Sequence, residues 1–339
     1  MPVTRQRPLA LLRSFFPTDW RMRRRYRLPS NDSGQAYYIY YPSGLVPDRP
    51  WPEVRFDADG VAVAATGYNP VTISQYALYS HERALRGVPG SRETFLAQAR
   101  YLRDAQRAGG TYPYAIGHWE YGVAPGFISA MAQGTAASAL LRAYAITGDE
   151  RYREAACAAA QPLKRDVRDG GASYLRDGCA FFEEVASAQP VHILNGHLFA
   201  AFALYDLNRF GLLDDELARI AHDAVATLRR WLREFDADGW SYYQLAVRDR
   251  NTRHLAHIGY HQLHVAQLHV YAVMTGEAAF EETAARWERA LSEPATRARV
   301  WLDSGSWLAE VLSERAGFSK RGPWRPLPIS APRTAIQRQ

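Results

Sequence analysis

HIGYHQLHVAQLHVYAVMTGEAAFEETAARWERAL, from His257 to Leu291, is the stretch that decides how this chain folds. From His257 to Tyr271 it has no Asp, Glu, Lys or Arg. A surface helix would carry such residues on its outer side, so this one reads as buried. Residues three or four apart share a helix face. Tyr260, His264, Gln267 and Tyr271 therefore make one polar-aromatic stripe, and His257, His261, His264 and Leu268 an adjoining one. Buried polar groups need partners. The stripe is either a satisfied part of the core or the lining of a substrate cavity. A short polar turn then leads into an amphipathic second helix.

The same unit occurs four times. Gln75–Leu102, Leu140–Ala160 and Phe202–Leu228 repeat the pattern of His269–Leu291: an apolar helix ends near a tyrosine, a polar turn follows, and an amphipathic helix starts. The marker tyrosines, Tyr79, Tyr144, Tyr205 and Tyr271, stand 65, 61 and 66 residues apart. A period of that size with two helices per unit describes an array of helical hairpins. Uniformly apolar first helices predict an inner ring, and amphipathic second helices an outer one. The expected fold is mainly α, an incomplete (α/α) toroid or barrel, with an open solenoid as the alternative. Gly- and aromatic-rich connections starting at Gly109, Gly170 and Asp238 are expected to gather at one end, where loops carry function. Residues 1–34 read as a basic leader, 35–68 as a small β segment of two or three strands, 69–315 as the toroid with a last helix from Thr296 to Arg315, and 316–339 as a basic Pro/Arg tail.

Composition narrows the partners. The 339 residues are 47% hydrophobic and 22% charged, enough for a large core in one or two domains. Twenty Tyr and nine Trp supply stacking surfaces suited to a sugar cleft, although large helical cores also use them. Cys157 and Cys179 are too few for a disulfide framework. The net charge of +6 is concentrated at Arg21–Arg27 and Lys320–Arg338 and fits an acidic partner: a polyanionic glycan, nucleic acid or an anionic membrane surface. No nucleic-acid-binding motif accompanies it, so no nucleic acid is expected. No run reaches the roughly 20 apolar residues needed to span a bilayer, and Pro8–Phe16 lacks a signal-peptide pattern. The expected location is cytoplasmic, with the basic N-terminus a candidate for peripheral membrane contact.

Gly126–Asp149 (GFISAMAQGTAASALLRAYAITGD), FFEE at Phe181–Glu184, His192–Leu207 (HILNGHLFAAFALYDL) and Gly259–Leu268 (GYHQLHVAQL) together resemble the C-terminal catalytic domain of the D-glucuronyl C5-epimerases. Tyr68–Leu78 is similar to the segment ahead of that domain. The resemblance covers roughly Tyr68 to Leu291. It implies an (α/α) barrel, conversion of D-glucuronate to L-iduronate within a glycan, no cofactor and no metal. The calcium-bearing β domain of larger members finds no counterpart before Tyr68, so no calcium site is carried over; a homodimer remains an open expectation.

The chemistry defines the groups to look for. The C5 hydrogen of a uronate is α to a carboxylate, so epimerisation needs a base on one face, a proton donor on the other, and stabilisation of the enolate-like charge. By the resemblance Tyr260 is one proton-transfer group. A second family tyrosine falls on Tyr242 or Tyr243, and the arginine expected after it is replaced by Leu245 or Ala246, leaving Arg248 or Arg250 as carboxylate partner. Glu184 matches the family acid, but the tyrosine that follows it in the family is Val185 here. Either Glu184 acts alone, or Tyr112, Tyr114 or Tyr174 fills the gap, or activity has been lost or changed. Glu183 and Glu184 could instead be a solvated charge pair. Gln133 and Asn195, amides in apolar helices, are candidate substrate binders with His261, His264, Gln267, Tyr112, Tyr114 and Arg248. Gly134 and Gly196 allow close approach, with packing the expected reason. His257, His261 and His264 have helical spacing for zinc but no nearby carboxylate or cysteine, so hydrogen bonding is the expected use.

Three other functions compete: a polysaccharide lyase using the same carbanion, an inverting glycoside hydrolase pairing Glu184 with Asp177 or Glu120, and a non-catalytic glycan-binding module.

Overall fold

The Thr-Gly-acid turns at Thr147–Asp149 and Thr275–Glu277 fold alike in the computed structural model. Gly148 and Gly276 have φ of 67° and 73°, the left-handed region that glycine enters freely. Their N–H groups donate to the carbonyls of Tyr144 and Ala272, closing the preceding helix. The threonine hydroxyls accept the N–H of Asp149 and Glu277. Asp149 then caps the following helix through the N–H of Arg151. Each turn reverses the chain into a helical hairpin.

The structure describes residues 20, 22, 25–29, 36–40, 54–118, 121–246, 253 and 255–315. Most of the leader, the tail 316–339, Glu120, Arg248 and Arg250 lie outside them. The helices are α1 (Pro70–Leu85), α2 (Ser91–Ala105), α3 (Ala130–Thr147), α4 (Glu150–Ala160), α5 (Leu194–Arg209), α6 (Asp215–Trp231), α7 (Ile258–Thr275), α8 (Ala278–Ala290) and α9 (Pro294–Arg315). Hairpin partners α1–α2, α3–α4, α5–α6 and α7–α8 pack together, and the first helices also pack in the order α1–α3–α5–α7. Those of the last three hairpins are buried along most of their length, whereas α4, α6 and α8 bury one face. The chain is thus mainly helical, with an inner row and an outer layer. At Gly134 a Cβ would stand 2.6 Å from the Cα of Ala200, so α3 and α5 approach backbone to backbone. The packing role expected of Gly134 is met.

The β structure is more divided than expected. β1 (Arg25–Tyr26) pairs with β2 (Ile39–Tyr40) and β3 (Arg55–Phe56) with β4 (Ala62–Val63), as separate antiparallel pairs. A third pair, β5 (Ser173–Arg176) and β6 (Cys179–Phe182), lies within the connection after α4. Asp177 and Gly178 both have positive φ at its tip, as a two-residue Asp-Gly hairpin turn requires. Phe181 and Phe182 are fully buried, and β6 packs on α6.

The N-terminal segment is tied to the inner helices. Arg142 of α3 and Asp206 of α5 form a buried ion pair at 2.7 Å. The Tyr38 hydroxyl donates to Asp206, the Arg142 guanidinium donates to the Ala36 carbonyl at 3.1 Å, and it stands 4.9 Å from the Tyr37 ring centre. A charge so deep needs partners on every side. Segment 36–40 supplies them. Among the described residues no helix is long and apolar enough to cross a membrane.

Candidate active site

One cavity of about 510 Å³ is bordered by residues from all four inner helices and from segment 36–40. Glu184 reaches it from the end of β6. The backbone there is pinned: the N–H of Glu183 donates to the Ala172 carbonyl, and its carbonyl accepts from Ala130, both at 2.8 Å. Neighbouring side chains of extended backbone point to opposite sides. Glu183 turns inward, fully buried, where its carboxylate accepts the N–H of His192 and stands 2.5 Å from His192 Nδ1. A solvated Glu183–Glu184 pair is therefore not what the fold builds. Glu184 turns to the cavity.

Two donors hold that carboxyl. Asn195 Nδ2 donates to Oε2 at 2.9 Å and the Tyr243 hydroxyl to Oε1 at 3.4 Å. Burial raises the Glu184 pKa to about 7; both hydrogen bonds pull it down and the charge of Glu183 pushes it up. A carboxyl tuned near neutrality can exchange a proton in either direction. Gly196 makes the seat: a Cβ there would lie 2.4 Å from the Cβ of Glu184 and 2.6 Å from Oε2. Packing against the acid, rather than between helices, is its use.

Tyr242 and Tyr243 separate cleanly. Tyr242 bridges to Leu255 and carries the Arg253 guanidinium 4.2 Å from its ring centre. Tyr243 stands against Glu184, and its ring centre is 4.7 Å from that of Tyr260. Burial and the charges of Glu184 and Tyr260 push the Tyr243 phenol well above its usual range. Tyr260, in the first turn of α7, is 43% exposed and lines the cavity. Glu184, Tyr243 and Tyr260 thus form one contiguous group.

Of the three tyrosines considered for the place of Val185, Tyr114 alone lines the cavity, stacked on Phe127 at 4.6 Å. Burial, then the Glu184 charge, raises its pKa. Tyr112 donates to the Leu102 carbonyl, and Tyr174 to Asp177 at the β5–β6 tip. Val185 itself fills a small apolar cluster with Val191, Ile193 and Ala246.

Several expected substrate binders serve the framework. Gln133 accepts the N–H of Tyr112 and donates to the carbonyls of Gly110 and Ala159. His261 stacks on Trp240 at 3.6 Å between Ser241 and the Trp287 carbonyl, and burial lowers its pKa to about 3. His264 meets the Ser241 hydroxyl at 2.9 Å, and Gln267 donates to the Asn195 carbonyl at 3.1 Å. None of these lines the cavity. Leu245 is fully buried, and Arg248 lies outside the described residues. His257 does line the cavity; its Nδ1 accepts the Gly259 N–H and caps α7. His118, Tyr40 and Tyr79 also line it. Tyr79 stood out only as a repeat marker, and the sequence carries no signal for the other two. Among the described residues, no group of three His, Cys, Asp or Glu could hold a metal ion.

Comparison with known proteins points the same way. The family model described as D-glucuronyl C5-epimerase C-terminus matches residues 104–289. A D-glucuronyl C5-epimerase of Caenorhabditis elegans is 31% identical over 175 residues, 48% of this chain and 28% of the relative. An uncharacterised protein of Methanocaldococcus jannaschii is 30% identical over 154 residues, 44% of this chain and 48% of its own length. The chain thus spans less than half of the length of each.

Proposed function

Since the chain belongs to the D-glucuronyl C5-epimerase C-terminal family, we propose that it epimerises a glucuronate residue of an acidic glycan at C5. The observation that carries this reading is the contact chain Glu184–Tyr243–Tyr260 at the wall of one cavity, with the acid's pKa raised to about 7. In the proposed reaction the Glu184 carboxylate takes the C5 proton, and the C5–H electron pair moves into the sugar carboxyl group. Tyr260 delivers a proton to the opposite face of C5, forming the new C–H bond. Its phenolate regains a proton from solvent, which its 43% exposure permits. Glu184 then releases its proton to water. Asn195 holds the base through Nδ2, and its Oδ1, buried and without a partner among the described residues, is left to accept from a sugar hydroxyl. Tyr114 borders the same cavity and is the proposed substitute for the tyrosine that Val185 replaces.

The test is incubation of a glucuronate polymer in deuterated buffer. Deuterium at C5 without an unsaturated product is expected from the wild type, with a loss of about 10²–10⁴-fold in Tyr260→Phe and Glu184→Gln. An unsaturated, ultraviolet-absorbing product would assign a lyase. The absence of both C5 deuterium and an unsaturated product with every uronate polymer would refute both.

A further inference from the structure

The cavity has a second flank, built by β2 and α1, that the proton-transfer groups do not use. Tyr40, Tyr79 and Glu82 line it. Glu82 is buried and receives two guanidinium groups: Arg27 donates to both its oxygens, at 3.0 and 3.1 Å, and Arg86 Nε donates to Oε1 at 3.1 Å. The same guanidiniums stand 5.1 and 5.3 Å from the Tyr40 ring centre. Arg83 donates to the Tyr79 hydroxyl at 3.2 Å. Two arginines thus share one carboxylate, leaving a formal excess of one positive charge beside Glu82 at the cavity wall. Their side chains are fixed before any ligand arrives, so little rotamer entropy remains to be lost. Arg27 and Arg86 keep about a third of their surface open, 37% and 33%, so each retains N–H donors for a ligand.

We propose that Arg27, Arg86 and Tyr40 form a subsite for an acidic sugar next to the reacting uronate in the same glycan. This rests on the epimerase reading. The matching chemistry is a carboxylate- or sulfate-bearing pyranose. Its anion meets the planar forks of Arg27 and Arg86 and its ring lies against Tyr40 and Tyr79. The cavity, within the size range of sites that bury drug-sized ligands, has room beyond a lone monosaccharide. A neutral neighbour would leave the charge excess unmatched.

The experiment measures binding, so it does not depend on turnover. Glucuronate-containing oligosaccharides from disaccharide to hexasaccharide are titrated against wild type, Arg86→Ala and Arg86→Lys, at two salt concentrations. The affinity gained on lengthening the ligand is expected to shrink about 10-fold in Arg86→Ala and to return in part in Arg86→Lys. Its salt dependence is expected to flatten in Arg86→Ala. Equal length dependence in all three proteins overturns the subsite, as does equal affinity for a neutral oligosaccharide. Binding of anionic lipid vesicles without length-dependent glycan binding overturns it too. Failure of the epimerase reading shows separately, as absent deuterium exchange in a protein that still binds the longer ligands.

Discussion

Gly196→Ala separates the geometry of the acid from the stability of the fold. In α5, alanine is the better helix former by about 1 kcal/mol. Against that gain, the new Cβ would stand 2.4 Å from Glu184 Cβ, 2.9 Å from Cγ and 2.6 Å from Oε2. Carbon atoms rest at about 3.5–4.0 Å, so the acid has to retreat by about 1 Å. Overpacking of this kind costs about 1–3 kcal/mol. The net loss of stability is therefore about 0–2 kcal/mol, and the protein should fold. Catalysis is less forgiving: a displacement of about 1 Å costs on the order of 100-fold. Gly134→Ala is the control, because its obstacles are the Ala200 Cα at 2.6 Å and the Phe199 carbonyl at 2.9 Å, both backbone. There α3 and α5 must move apart, and stability should fall further than in Gly196→Ala. Urea denaturation gives the stabilities, and C5 deuterium incorporation per folded molecule gives the rates. A Gly196→Ala protein that exchanges deuterium at the wild-type rate would show that Glu184 does not need its seat.

Four further outcomes follow from the contacts of Glu184, Asp206 and Gln133. The Glu184 pKa rises from 4.5 to about 7 on folding, so its ionisation opposes the fold: the cost is absent below pH 4.5, grows as pH rises through 7 and is then constant. Glu184→Gln should thus be more stable than wild type above pH 7, by up to about 3 kcal/mol, with no such advantage at pH 4; an advantage independent of pH would contradict this. As the proposed base, Glu184 also predicts an exchange rate that rises with pH up to about 7. Asp206→Asn strands the buried Arg142 charge and should cost about 3–5 kcal/mol by denaturant unfolding, whereas Tyr38→Phe, which removes a single donor to Asp206, should cost about 1–3 kcal/mol. Gln133→Ala removes one hydrogen-bond partner from each of three backbone groups and should lower stability by about 2–4 kcal/mol while exchange per folded molecule stays near wild type; a selective loss of substrate affinity would return Gln133 to the binding site.

The helical framework was legible because its signals are local. The turns around Gly148 and Gly276 announce left-handed glycine and a capping residue within three letters, and the uncharged run from His257 to Tyr271 announces burial. The site was legible in part. Glu184 and Tyr260 came through resemblance, and the choice between Tyr242 and Tyr243 needed coordinates, because alternation along the backbone sends one to Arg253 and the other to the acid. Polarity inside an apolar helix misled at Gln133, His261 and His264. Such a residue must have partners, but sequence cannot say whether they are a ligand or the carbonyls and hydroxyls of a neighbouring loop. The β5–β6 hairpin, too, was announced by Asp177–Gly178 yet read only as a Gly-aromatic connection.

The grip of Tyr38 and Ala36 on the Arg142–Asp206 pair also bears on what can be cut away. The family match begins at residue 104, in the last turn of α2 and downstream of this anchor. A fragment trimmed to that boundary would open a salt link at its centre to water and lose one side of its cavity. A fragment limited to the matched range should therefore fail to fold by itself, and the N-terminal strands should melt together with the helices they clasp rather than fray ahead of them.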